Sequence, residues 1–148
     1  MDLPSVTPVP DEVCLVVDIA NVMGSRPDGW WRDRAASASR LVLALVPCGG
    51  SEQVGPDGVP LRVDQIFAVV EGQARIIPEV EGVRLVRAPA DGDETVVRVC
   101  VELLTEGRSP LAVTADRGLR ARLPDGTAVA GPRWLLGLLS PRSPGARR

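Results

Sequence analysis

The 148 residues are enough for one domain with one sizeable core, and the 45% apolar content is that of a globular chain. There is no histidine, and all 17 basic residues are arginine, which excludes Ser-His and Cys-His catalysis, histidine-ligated zinc, the P-loop lysine and Schiff-base chemistry. What remains for strong chemistry is 19 carboxylates, suited to acid-base or hard-metal work, with arginine to clamp phosphate; the net charge of −2 does not by itself suggest a polyanion binder.

Met1 to Glu12 is Pro-rich and acidic, lacks the basic and apolar regions of a secretory signal, and reads as a flexible lead. The apolar runs are too short to cross a bilayer, so a cytoplasmic location with no membrane partner is expected. A domain is expected over residues 13–139. Val13 to Val17 is a continuous apolar run rich in β-branched residues and ends at Asp18, the pattern of a strand buried on both faces. Asn21 to Gly29 reads as a loop, with the turn signal Pro27-Asp28-Gly29. Trp30 to Val46 reads as a helix, with Trp31, Ala35, Ala38, Val42 and Leu45 on one face, so that Trp31 is expected in the core.

Pro47 to Arg62 is crowded with Gly, Pro and polar residues and reads as a loop. Gln65 to Val70 is expected as the second strand, ending at Glu71, and Gly82 to Arg87 as the third, broken by the residues from Ala88 to Gly92. Asp93 to Thr105 reads as a helix with acids in its first turn, where the helix dipole favours them. Leu111 to Thr114 is the fourth strand, followed by Asp116 and a short helix from Arg117 to Leu123. Thr127 to Ala130 is the fifth, and Pro132 to Leu139 a closing helix with Pro at its start. Residues 140–148 read as a basic disordered tail.

Strands alternating with helices imply right-handed crossovers and an α/β sandwich of three layers, a mainly parallel five-stranded sheet covered by helices on both faces. The expected order is 3-2-1-4-5, which sets the ends of strands 1 and 4 side by side at the switch point. Cys14, Cys48 and Cys100 lack paired metal-ligand spacing and read as buried structural thiols. Charge is uneven: residues 1–115 carry 10 Arg against 17 acids, and residues 116–148 carry 7 Arg against 2. The basic C-terminal third reads either as a polyanion contact or as a solvated surface with a tail.

Three strands end at or just before an acid, namely Asp18, Glu71 and Asp116, and Asp91, Asp93 and Glu94 lie where a loop enters its helix. In an open parallel sheet, ligands bind beyond the carboxyl ends of the strands. Clustered carboxylates repel unless a cation neutralises them, and oxygen donors suit Mg²⁺ or Mn²⁺. The alternative is that such acids are helix caps, a reading that suits Asp91 and Asp93 especially. Trp30 and Trp31 adjoin Arg26, Arg32 and Arg34, an arrangement able to stack on a base and hold phosphate, or to pack in the core.

The segment VVDIANV (Val16 to Val22), the pair Asp93-Glu94 at a helix start and Thr114-Ala115-Asp116 together resemble the NYN branch of PIN-like nucleases, in order and approximate spacing across residues 13–131. The stretch SRPDGWWRDRA also resembles bacterial proteins with this domain that are sometimes labelled nucleotide pyrophosphohydrolases. The resemblance implies a PIN-like fold and a Mg²⁺- or Mn²⁺-dependent endoribonuclease. By position it implies that Asp18, Asp93 and Asp116 hold metal, with Glu71 and Glu94 as auxiliary acids and Asn21 placing a water or phosphate. Ile19 stands where the family has Gly after the first Asp, which narrows the site. Arg26, Trp30, Arg32, Thr114 and Arg117 are the expected substrate contacts. The expected partner is RNA or a nucleotide. Competing readings are a nucleoside-triphosphate pyrophosphohydrolase using the same metals and a non-catalytic RNA-binding module. The oligomeric state, a homodimer included, is left open.

Overall fold

The apolar run at 13–17 becomes the centre of the sheet in the computed structural model, which describes residues 10–140. The strand is longer than the run: β1 (Asp11–Asp18) pairs parallel with β3 (Pro60–Val70) on one side and with β5 (Pro110–Val113) on the other. Its alternate side chains feed two cores, as a period of two requires. Leu15 and Val17 face a cluster built on α1 (Ile19–Gly24), α2 (Arg34–Leu45) and α5 (Pro132–Leu139). Cys14 and Val16 face a second cluster, on α3 (Gly92–Thr105) and α4 (Arg117–Arg122). Helices therefore cover both faces of a mostly parallel sheet.

Hydrogen-bonded neighbours run β2-β3-β1-β5-β6, where β2 is Glu52–Val54 and β6 is Ala128–Ala130; β4 (Arg84–Arg87) also pairs with β3, in parallel. Strand count and order therefore differ from the expected five strands. The addition is β2, which pairs antiparallel with the first residues of β3 inside the stretch read as a loop. Three residues among Gly and Pro carry little strand signal of their own, and pairing with β3 holds them. Trp134 Nε1 also donates to the Val54 carbonyl at 2.9 Å, tying α5 to this edge.

Two further corrections concern the segment after β1. Ile19–Gly24 is helix rather than loop, started by the Asp18 carboxylate accepting from the Asn21 N–H. The next helix begins at Arg34, capped by Asp33, and Trp30–Arg32 is a separate 3-10 turn entered through Gly29 at φ 79°. Helical spacing thus does not extend back to Trp31, which is 55% exposed rather than in the core, while Trp30 is half-buried against it.

All three cysteines are free and buried, and burial pushes the thiols up, Cys100 to about 11. Among the described residues no helix is long and apolar enough to cross a membrane. Most of the N-terminal lead (residues 1–9) and of the basic tail (residues 141–148) lies outside the described residues.

Candidate active site

Because β3, β1 and β5 are adjacent and parallel, their carboxyl ends open on one rim. The register sets Asp18 opposite Val69 and Val17 opposite Val113, so Thr114 leaves β5 level with Asp18, and Glu71 leaves β3 just beyond it.

Asp18 forms the floor of the rim, only 5% exposed. Burial pushes its carboxyl up to about 6, and the negative charges of Asp93 and Glu71 push the same way. Two donors oppose them: Thr114 Oγ1 donates to Oδ2 at 3.0 Å, and the Asn21 N–H donates to Oδ1 at 3.3 Å. The Thr114 hydroxyl also accepts from the Asp116 N–H at 3.1 Å, so one oxygen links the two acids. Asn21 Oδ1 accepts from the Ala115 N–H at 2.8 Å and pins the turn leading to Asp116. Asp116 Oδ1 accepts from the Leu119 N–H at 2.9 Å and starts α4. Asp18, Asn21, Thr114 and Asp116 thus belong to one hydrogen-bonded unit.

The start of α3 brings the remaining acids. Asp91 is the cap, its Oδ1 accepting from the N–H groups of Asp93 and Glu94 at 3.0 and 3.4 Å. Asp93 is left uncommitted to capping. Partial burial and the charges of Asp116 and Asp91 raise its carboxyl, against a lowering pull from Arg122 at 3.9 Å. Glu71 packs over Gly92, where an added Cβ would meet its Oε1 at 2.9 Å and push the carboxylate aside. Glu94 is exposed on the first turn of α3, and Arg117 on that of α4.

The capping alternative therefore holds in part: Asp18, Asp91 and Asp116 all cap helices. Capping does not extend to Asp93, and burial first, then like charge, pushes both Asp18 and Asp93 up.

Thr114 departs from its expected role. It is fully buried, so its hydroxyl cannot touch substrate, and its contacts make it a positioning residue for Asp18 and Asp116. Arg26, Trp30 and Arg32 make their side-chain contacts with one another's neighbours rather than with the acids of the rim: Arg26 lies 3.9 Å from Asp28, the Arg34 guanidinium lies over Trp30, and Arg32 lies over Trp31. Sequence reasoning missed Arg120, whose Nε donates to the Thr114 carbonyl at 2.8 Å, and Arg122 beside Asp93. The only signal for them was the basic run RGLRAR directly after Asp116.

The donors are hard oxygens, which fits Mg²⁺ or Mn²⁺ in kind. Among the described residues, no three Asp, Glu or Cys side chains converge into a ready ion cage. Mg²⁺ does not need one, since it commonly keeps several waters and takes one or two carboxylates. A hollow of about 490 Å³ lined by Val46, Asp64, Ile66, Val83 and Arg84 shares no residue with the acidic rim.

The hydroxyl link can be tested by Thr114→Val, which keeps the shape and removes the hydrogen bonds. The change is expected to cost about 1–3 kcal/mol in urea unfolding at neutral pH, because a buried carboxylate loses a donor. It should also move the Asp18 titration further upward by NMR. Thr114→Ser should restore both.

No protein-family model matches the chain, and no curated protein matches it. Among solved structures, a crystal structure of Rae1 (YacP) from Bacillus subtilis is similar, with a TM-score of 0.61, over 85% of this chain and 74% of that one. Sequence identity between the two is 14%, so what this chain shares with that protein is its α/β fold.

Proposed function

We propose that the chain is a metal-dependent phosphodiester hydrolase acting on RNA, with Asp18, Asp93 and Asp116 as its metal-holding acids, one or two of them directly and the rest through water. One observation carries this reading: the parallel pairing of β3, β1 and β5 sets the nearly buried Asp18 carboxylate at one rim with Glu71, Asp93 and Asp116, where like charges crowd. Such an arrangement costs stability unless a cation is bound. The resemblance of the ordered acid motifs to PIN-like nucleases supports the same reading.

A bound Mg²⁺ or Mn²⁺ would activate water and offset charge on the reacting phosphate. The chain's own residues supply the rest. Thr114 fixes the Asp18 carboxylate, and Asn21 holds the turn that presents Asp116. Asp93 faces Asp116 and stays free of capping duty, while Glu71 lies close enough to raise Asp18. Glu94 and Arg117, exposed on the first turns of α3 and α4, border the rim and are available to solvent and phosphate. With no histidine, protons leave through water or a carboxylate.

The test is purified protein with Mn²⁺ or Mg²⁺, offered single-stranded RNA and, separately, nucleoside triphosphates, with EDTA as control. Metal-dependent RNA cleavage is the expected result. Pyrophosphate release without RNA cleavage would reassign the site to small nucleotides. Hydrolysis of neither substrate would sink the enzyme reading.

A further inference from the structure

We propose that Trp31, with Arg32 and the neighbouring Trp30–Arg34 pair, forms a stacking surface for the unpaired bases of single-stranded RNA. The inference rests on the nuclease reading and names its substrate class. Trp31 is the one tryptophan among the exposed large hydrophobic residues. Its ring meets that of Trp30 edge-on, with centroids 6.1 Å apart and planes at 87°. The Arg32 guanidinium lies 5.9 Å from the Trp31 centroid, and that of Arg34 lies 5.3 Å from Trp30. Among the described residues neither Arg32 nor Arg34 forms a salt bridge with a carboxylate. In a chain of net charge −2, two arginines held by aromatic rings keep their charge available for phosphate.

The position suits a strand running to the acids. Asp18 caps the first turn of α1, and the Trp30 ring lies 3.7 Å from a Cβ built at Gly24, the last residue of that helix. Six helical residues rise ~9 Å, and the steps from Gly24 to Trp30 and on to Trp31 add about 10 Å, so Trp31 lies on the order of 20 Å from Asp18, roughly six stacked nucleotide steps at ~3.4 Å each. An indole stacks on any base but needs the base unpaired, which favours a single strand over a duplex. Trp and Arg also mark protein–protein interfaces, so a protein partner is kept as an outcome of the test.

The test is binding of a labelled single-stranded RNA, followed by anisotropy in EDTA so that no cleavage intrudes. Trp31→Ala is expected to weaken binding by about 5–100-fold, Trp31→Phe to recover most of it, and duplex RNA to bind more weakly than single strand. Arg32→Gln should lower the salt slope by about 0.7. Inorganic polyphosphate, which has no bases, should bind wild type and Trp31→Ala alike. An unchanged Trp31→Ala affinity, equal duplex affinity, or binding of a protein from solution in place of RNA would each overturn the proposal. Because the ring is more than half exposed, Tm should barely move, which separates lost stacking from lost folding. Binding without cleavage would leave this surface standing and remove the nuclease reading.

Discussion

Asp116→Asn is expected to lower metal-dependent hydrolysis by about 100-fold or more while leaving the chain folded. Groups that merely support a metal ligand are typically worth about 10–100-fold, so loss of a ligand belongs at or beyond the upper end. The fold survives because Asn caps helices as well as Asp, and the bond to be kept is the one from the Leu119 N–H. Without metal the variant should be as stable as wild type or slightly more so, since the Asp116 charge repels Asp93. With metal the order reverses. An ion bound only by the folded state adds about 2.7 kcal/mol at a hundredfold excess over Kd, which is roughly 5–10 °C in Tm for a chain of this size. Calorimetry with and without Mn²⁺ should show this rise in wild type and a blunted one in the variant. If Asp116→Asn cleaves normally and wild-type Tm ignores millimolar Mn²⁺, Asp116 is a helix cap and nothing more.

Asp18→Asn is expected to stabilise the metal-free chain at neutral pH and to flatten its pH dependence. The folded carboxyl titrates at about 6 against 3.8 for an ordinary Asp, mainly because it is buried. The folded state therefore holds this proton more tightly than the unfolded state. The stability it contributes is fully present below about pH 4 and is lost as pH rises through about 6. That difference corresponds to ~3 kcal/mol by pH 7. Urea unfolding of wild type against Asp18→Asn, at several pH values from 4 to 8 and in EDTA, isolates this group from other titrating acids. The variant should gain on wild type as pH rises. A bound cation would offset the same cost, so metal-induced stabilisation of the wild type should be greatest above about pH 6 and shrink below it. A constant difference between the two proteins across the range would show that Asp18 carries no buried charge.

The elements legible in the sequence were those whose own pattern matched their burial. The run at 13–17 is apolar throughout because both of its faces are covered. α3 shows helical periodicity because one face packs on the sheet and its first turn carries acids. By contrast, α1 is six residues long and depends on a cap from Asp18, and β2 is three residues held by β3. Length alone did not hide them, since α4 and β6 are as short and were legible; the Gly, Pro and polar residues that flank α1 and β2 read as loop. Trp31 was misread because helical spacing was extended through Asp33, which caps α2 and separates the turn from the helix.

The candidate site divides along the same line. Chain order alone set acids at the ends of β1 and β3 and just past β5, and parallel topology turned sequence order into a common rim. The lack of histidine and lysine likewise restricted the chemistry before any fold was known. Which acids cap and which face one another was decided only by packing. The bond from Thr114 to Asp18 joins residues 96 positions apart, and the upward push on Asp18 comes from burial that no local pattern records. Local sequence encodes which side of an element is apolar. Distances between distant side chains, and the water excluded around them, arise only when the layers close on one another.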